Sequence, residues 1–156
     1  MFAAAAAAHH ATGAVIAVHL EGGTHPVAVL EELSGRHGVP ADRIILGHLN
    51  RFPDFGPHHE AAEAGAFLGF DGPSRGNHPT DWRLFGCLRA LVEAGHTARV
   101  LLGGDTTTTS ARVGGPGMPF VLTGIGARVR REFGDDVAEA FLRHNPARAF
   151  TTAWRA

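Results

Sequence analysis

Four short runs of apolar residues, of the kind found in strands, divide this chain into repeating units. They cover residues 14–18, 43–47, 66–70 and 99–103. None of the four alternates cleanly between polar and apolar side chains. Each run therefore suits a strand that is buried on both faces, which is the usual situation in a parallel sheet.

Helical patterns fill the intervals between these runs. Val27, Leu30 and Leu33 form one apolar stripe after the first run, and a similar stripe follows the third run. The predicted helices cover residues 26–37, 57–64, 80–94, 118–133 and 135–143. The resulting order, β-α-β-α-β-α-β-α-α, predicts an α/β fold of right-handed βαβ units in a single domain, residues 1–156.

Local signals mark where these helices begin and end. Thr80 is a candidate N-cap, and Gly95 a candidate C-cap, of the third helix. Gly134 separates the last two helices, and the Asn145-Pro146 pair is predicted to end the final one. The alanine-rich start is interpreted as the end of a helix, which suggests a chain cut from something longer.

The composition limits the classes of function. A formal net charge of -1 provides no global field that would favour nucleic acid or an acidic membrane. No apolar run approaches the ~20 residues of a membrane helix. Arg128, Arg130 and Arg131 are interpreted as a solvated helix face, because no nucleic-acid-binding motif accompanies them. The single cysteine, Cys87, is predicted to be a buried structural thiol, and a cytoplasmic location is expected.

Polar side chains follow directly on the four predicted strands. These are His19, His48, Asp71 and Asp105. In a β/α barrel the loops that follow the strands converge on one mouth, so these side chains are expected to lie together. Imidazole and carboxylate are the usual ligands of Zn²⁺ and related ions. Taken singly, each residue also has an ordinary alternative, such as a core histidine or an aspartate in a turn.

Six segments resemble, in order, segments of phosphotriesterase-like, metal-dependent hydrolases of the amidohydrolase superfamily. They are AVHLEGGTHPVAVLEEL, RIILGHLNRFPD, GAFLGFDG, LLGGDTTTT, GGPGMPF and NPARAF, and the similarity runs from about residue 3 to residue 150. The resemblance implies a partial TIM (β/α) barrel, made of strands five to eight of the family barrel. The four strands should then be parallel and curved, with helices on the outer face only.

The resemblance also implies a metal site. His19 and His48 match the histidines after barrel strands five and six, which bind one metal, with Zn²⁺ the expected ion. Asp105 matches the strand-eight aspartate, which binds the other metal and acts in catalysis at the bridging hydroxide. Asp71 is a candidate supporting residue beside these ligands. Residues 114–117 would lie in the long loop over the pocket.

The chain also departs from the family pattern. The family's first strand carries a His-x-His pair and its fourth strand a bridging lysine or acid, whereas this chain has no His-x-His and no lysine. Some members place a carboxylate where Arg51 stands, and some lactone-cleaving members place arginine where Gly72 stands. These differences leave the substrate open among phosphotriesters, lactones and related esters.

Two functions are therefore expected. The first is hydrolysis of such a bond by metal-bound hydroxide, incomplete in the isolated chain, with a small-molecule ester or lactone as substrate. The alternative is a non-catalytic barrel remnant or interaction subunit without a competent binuclear site. An open half-barrel would expose two sheet edges, so a homodimer or a complementary N-terminal half is the expected partner.

Overall fold

A single parallel sheet organises the molecule. The computed structural model describes residues 1–71, 81–106 and 117–154. The strands are β1 (Ile16–Val18), β2 (Ile44–Leu46), β3 (Phe67–Phe70) and β4 (Val100–Leu102), and they pair in the order in which they occur in the sequence. The predicted strand order and direction are confirmed, although each strand is shorter than its apolar run.

Helices connect and cover the strands. They are α1 (Phe2–Thr12), α2 (Pro26–Leu30), α3 (Phe55–Glu63), α4 (Leu84–Glu93), α5 (Ala127–Phe133), α6 (Asp135–Glu139) and α7 (Asn145–Phe150). Turns of π-helix extend α2, precede α5 and join α6 to α7, at Glu31–Arg36, Val121–Gly126 and Ala140–His144 respectively. Within the described ranges, no helix has both the length and the apolar character needed to cross a bilayer.

Helix ends follow local chemistry. Asp54 caps α3 by accepting a hydrogen bond from the Gly56 amide at 3.1 Å, so this helix begins two residues earlier than predicted. Gly95 follows α4 with φ of 83°, and Gly134 separates α5 from α6 with φ of 92°, in the left-handed half of φ space that glycine tolerates. The candidate N-cap Thr80 lies outside the described residues.

The predicted stop at Asn145-Pro146 is wrong, because the helical path continues to Phe150. A proline lacks the backbone N–H that a regular turn requires, but Pro146 lies in the first turn of α7, directly after the π-turn. The Asn145 side chain, which is buried, donates to the carbonyls of Thr97 and Val100 at 2.8 Å each. These two bonds attach α7 to the chain entering β4.

Side chains of the strands alternate between two apolar layers. The larger layer packs Ile44, Leu46, Leu68 and Val100 against the helices, including Leu88 of α4. The smaller layer, on the opposite face of the sheet, contains Ile45, Phe67 and Leu101 together with Ala149 of α7. The expectation of helices on the outer face only is therefore wrong for α7, which packs its small Ala149 against inner-face side chains.

Candidate metal centre

Glycines open a space at the carboxyl ends of the strands. The Gly47 amide donates to the Val18 carbonyl at 2.9 Å, and the Gly103 amide donates to the Phe70 carbonyl at 3.0 Å. The hydrogen-bond ladder therefore continues through both glycines, where no side chain fills the inner face. A cavity of about 440 Å³ lies there; residues on its wall include Ala17, His19, Ile45, His48, Leu101 and Phe150.

The two predicted metal-binding histidines meet at this cavity. The Nε2 atom of His48 lies 2.7 Å from the Nδ1 atom of His19, and the ring centroids are 4.3 Å apart at 77°. His48 occupies the left-handed region with φ of 64°, directly before the turn Leu49–Arg51. His48 is largely buried, whereas His19 exposes about two thirds of its side chain. The pair is therefore reachable from the cavity.

Asp71 fixes the orientation of the His48 ring. Its Oδ1 lies 2.6 Å from His48 Nδ1, and both carboxylate oxygens accept from the His48 backbone amide at 3.1 Å. A carboxylate can only accept here, so Nδ1 carries the proton and the lone pair lies on Nε2. Asp71 itself is held by its backbone amide, which donates to Asn50 Oδ1 at 3.3 Å. Asp71 thus lies beside the histidine pair.

The chemistry of these atoms suits a divalent cation. The outer nitrogen of each imidazole faces a carboxylate: His48 Nδ1 faces Asp71, and His19 Nε2 lies 3.4 Å from Glu21 Oε2. With a proton on each outer nitrogen, both lone pairs face each other at the cavity. Histidines that bind metals usually donate their other N–H to a carboxylate in this way. His48 Nε2 and His19 Nδ1 could therefore hold a metal ion together.

Two glycines create the slot that Asp71 occupies. A Cβ atom added at Gly103 would lie 2.8 Å from the Asp71 Cβ, and one added at Gly47 would lie 3.1 Å from Asp71 Oδ2. Any larger residue at Gly103 would push the carboxylate away from His48. Gly47, directly before His48, and Gly103, two residues before Asp105, therefore leave the space that Asp71 fills.

Asp105 is held by an arginine instead of joining the histidines. Arg51 Nη2 donates to Asp105 Oδ2 at 2.8 Å, and both side chains are largely buried. Asp105 does not line the cavity that contains the two histidines. In the described part of the chain, no third potential ligand lies within 4.8 Å of both facing histidine nitrogens. The structure therefore brings His19, His48 and Asp71 together but sets Asp105 apart.

Sequence reasoning missed two contributors to this site. Asn50 is fully buried and accepts a hydrogen bond from the Asp71 amide, and Arg51, which the sequence marks only as a departure from the family pattern, pairs with Asp105. Both belong to the turn after His48. The direction of this turn depends on the left-handed backbone conformation of His48. The nearest sequence signal was the proximity of these polar residues to the predicted end of the second strand. The predicted loop residues 114–116 lie outside the described residues.

The comparisons with known proteins identify the family of this chain. The family model described as the Phosphotriesterase family matches residues 1–150. The "Phosphotriesterase homology protein" of Escherichia coli K12 is 30% identical over 153 residues, which cover 96% of this chain and 52% of that protein. The chain thus spans about half the length of this relative.

Solved structures show the same relationship. A lactonase from Listeria monocytogenes superimposes with a TM-score of 0.88 at 30% identity, covering 97% of this chain and 48% of that protein. The Escherichia coli phosphotriesterase homology protein, solved with phosphate in its active site, gives a TM-score of 0.88 at 30% identity, covering 96% and 52%. The shared fold and the match over residues 1–150 establish that this chain belongs to the phosphotriesterase family.

Proposed function

We propose that this chain contributes half of a metal-dependent active site that hydrolyses lactones, phosphotriesters or related esters. The observation that carries the proposal is the pair His19–His48, whose facing nitrogens lie 2.7 Å apart while Asp71 holds the far side of His48. With the proton of each ring on its outer nitrogen, the two facing nitrogens can bind one cation together.

The relatives support the class of substrate. One similar protein is described as a lactonase, and another contains phosphate in its active site. Lactone hydrolysis passes through a tetrahedral carbon that bears a negative oxygen, and phosphate is itself tetrahedral and anionic. One site that stabilises such a shape would serve both carboxylic and phosphoric esters.

Each residue has a distinct role in the proposal. His19 and His48 would hold the cation, with Zn²⁺ as the expected ion, and Asp71 would keep the proton on His48 Nδ1. A cation held by these histidines would polarise an ester or phosphoryl oxygen and lower the pKa of a water molecule. Asp105 is assigned to accept the proton of the attacking water. Arg51 positions the Asp105 carboxylate by its hydrogen bond.

The proposal requires a second half of the barrel. A complete (β/α)₈ barrel takes ~250 residues and eight strands, while the described residues form four. The missing ligands would come from a complementary N-terminal half or from a second copy of the chain. The location of such an enzyme is proposed to be the cytoplasm.

A non-catalytic role is the second candidate. The observation in its favour is the ion pair between Arg51 and Asp105, which occupies the carboxylate that the family uses at the metal centre. Among the described residues, moreover, no third histidine, cysteine or carboxylate lies within 4.8 Å of both facing histidine nitrogens. A chain of this kind would act as an interaction subunit that binds its partner through the half-barrel.

Metal content tests the site directly. The chain is loaded with Zn²⁺, dialysed and analysed for zinc, alongside His19→Ala, His48→Ala and, as a matched control, His144→Ala, which removes an exposed histidine. The two site variants should each lose about one equivalent, whereas the control should keep it. Equal zinc content in all four proteins would remove His19 and His48 from metal binding.

Activity separates the two candidate functions. Hydrolysis of a lactone and of an activated phosphotriester is measured for the chain alone and after mixing with the N-terminal half of the Escherichia coli relative. The chain alone should be inactive, and mixing should produce activity that falls at least ~100-fold with Asp105→Asn. Inactivity of the mixture despite zinc binding would favour the non-catalytic role. Robust activity of the chain alone, as a monomer, would show that His19, His48 and Asp105 suffice.

A further inference from the structure

A second group of potential metal ligands lies among the helices. His59 and Glu63 both belong to α3, and His96 lies between α4 and β4. One ligand atom from each of the three lies within 4.8 Å of the other two. His59 Nδ1 is 2.8 Å from His96 Nε2, and their ring centroids are 4.8 Å apart. None of the three lines the cavity that contains His19 and His48.

The helical spacing brings two of these ligands together. His59 and Glu63 are four residues apart, so they lie one above the other on one face of α3. The Phe55 ring, one turn earlier, lies beside His59 with centroids 5.4 Å apart and ring planes tilted by 33°. His59 is half-buried and Glu63 is exposed, so the face opens to solvent on the glutamate side.

The third ligand is fixed by the backbone that ends α4. The His96 amide donates to the Leu91 carbonyl at 2.8 Å, and the His96 carbonyl accepts from the Arg99 amide at 2.9 Å. Gly95, with φ of 83°, makes the reversal that turns His96 back towards α3. The histidine is therefore held in place by bonds that do not involve its ring.

We propose that His59, Glu63 and His96 form a second site for a divalent transition metal such as Zn²⁺. Two imidazoles and one carboxylate are a common zinc ligand set, with a fourth position open to water. In tetrahedral geometry with bonds of about 2 Å, ligand atoms lie about 3.3 Å apart. The two nitrogens are 2.8 Å apart and all three ligand atoms lie within 4.8 Å of one another, so small side-chain movements would reach this geometry. Without metal, one of these two facing ring nitrogens donates a hydrogen bond to the other. For both nitrogens to bind an ion, the donating ring takes the tautomer that carries its proton on the outer nitrogen.

The site would tie α3 to the segment that enters β4. Without metal, a hydrogen bond between two half-buried histidines joins these segments. A metal ion that binds only the folded chain raises its melting temperature according to its concentration and affinity. The site therefore acts as a metal-dependent clasp on the outer helical layer, independent of the proposed hydrolase site.

Titration in a background without the central pair tests the proposal. The variant His19→Ala/His48→Ala is titrated with ZnCl₂ by calorimetry, and its Tm is followed in the same buffers. We expect it to bind one equivalent and to gain about 5 °C in Tm at saturating zinc. Adding His96→Ala should abolish both effects. A background variant that binds no zinc, or one that binds equally with His96→Ala, would overturn the proposal.

A pair of glutamate variants repeats the test in the otherwise unaltered chain. Glu63→Gln and Glu60→Gln make the same change of charge on exposed positions of α3, and only Glu63 belongs to the group. Glu63→Gln should reduce zinc affinity at the second site at least about tenfold. Glu60→Gln should leave it unchanged. Equal affinities in the two variants would exclude Glu63 as a ligand, and with it the three-residue site.

Discussion

Arg51 Nη2 donates a hydrogen bond to Asp105 Oδ2 at 2.8 Å, which joins the turn after β2 to the residue three positions after β4. Both side chains are largely buried, so the pair is shielded from the solvent that weakens surface ion pairs. The arginine stands where some members of the family have a carboxylate. Its charge therefore changes the surroundings of the aspartate on which the proposed chemistry depends.

A double-mutant cycle should measure this pair. Arg51→Met leaves the Asp105 carboxylate without the guanidinium, and Asp105→Asn leaves the guanidinium without the carboxylate. We expect each to lower the free energy of unfolding by about 1–3 kcal/mol, with a coupling energy of about 1–2 kcal/mol. Urea denaturation of the two single variants and the double variant gives these values. Additive effects within error would mean that the contact contributes nothing to stability.

Asp71→Asn should weaken metal binding without unfolding the chain. The asparagine nearly matches the aspartate in shape, but its amide does not secure the Nδ1 proton of His48, so the ring loses its preferred tautomer. Zinc affinity at the His19–His48 pair should fall about 10–100-fold, as for outer partners of other ligating histidines. Calorimetry in a His96→Ala background, which removes the proposed second site, isolates this one. Unaltered affinity, with a normal circular dichroism spectrum, would mean that Asp71 does not act through His48.

Two glycine substitutions should change stability in opposite directions. Gly103→Ala places a Cβ 2.8 Å from the Asp71 Cβ, and the resulting crowding should destabilise the chain by about 1–3 kcal/mol. Gly86→Ala lies inside α4, where an added Cβ meets nothing within 4 Å, and should stabilise by about 0.5–1 kcal/mol. Thermal denaturation of both variants distinguishes them. Similar Tm values would mean that Asp71 moves aside at little cost.

Acid should destabilise the fold through His58. Burial lowers the pKa of this histidine from 6.5 to about 4, and the nearby Asp54 carboxylate opposes the shift only in part. Between pH 6.5 and about pH 4, His58 is protonated in the unfolded chain but stays neutral in the folded chain. The free energy of unfolding therefore falls as the pH falls through this range. The loss attributable to this group is about 3 kcal/mol.

Replacing His58 isolates that contribution. In His58→Leu the free energy of unfolding, measured in urea from pH 4 to pH 7, should depend less steeply on pH than in the unaltered chain. The leucine fits because His58 is buried and packs edge-on to Phe70, with centroids 5.4 Å apart. Curves of equal slope over this range would assign the acid sensitivity to other groups.

The order of the strands and the meeting of His19 with His48 follow from the sequence. Each apolar run contains enough local information to indicate a buried strand, and successive βα units place their strand ends at one edge of the sheet. The residues after β1 and β2 must then be neighbours, and the structure places them 2.7 Å apart. The local apolar pattern and the order of the βα units are therefore sufficient to predict this part of the structure.

Contacts between distant segments were decided only by the tertiary structure. The path of α7 past Pro146 depends on the carbonyls of Thr97 and Val100, which lie more than forty residues earlier. The partners of Asp105 and His96 likewise come from other units of the chain. Apolar periodicity specifies which face of an element is buried, but the energy of a polar side chain depends on the particular group it meets. That partner exists only once the elements have packed.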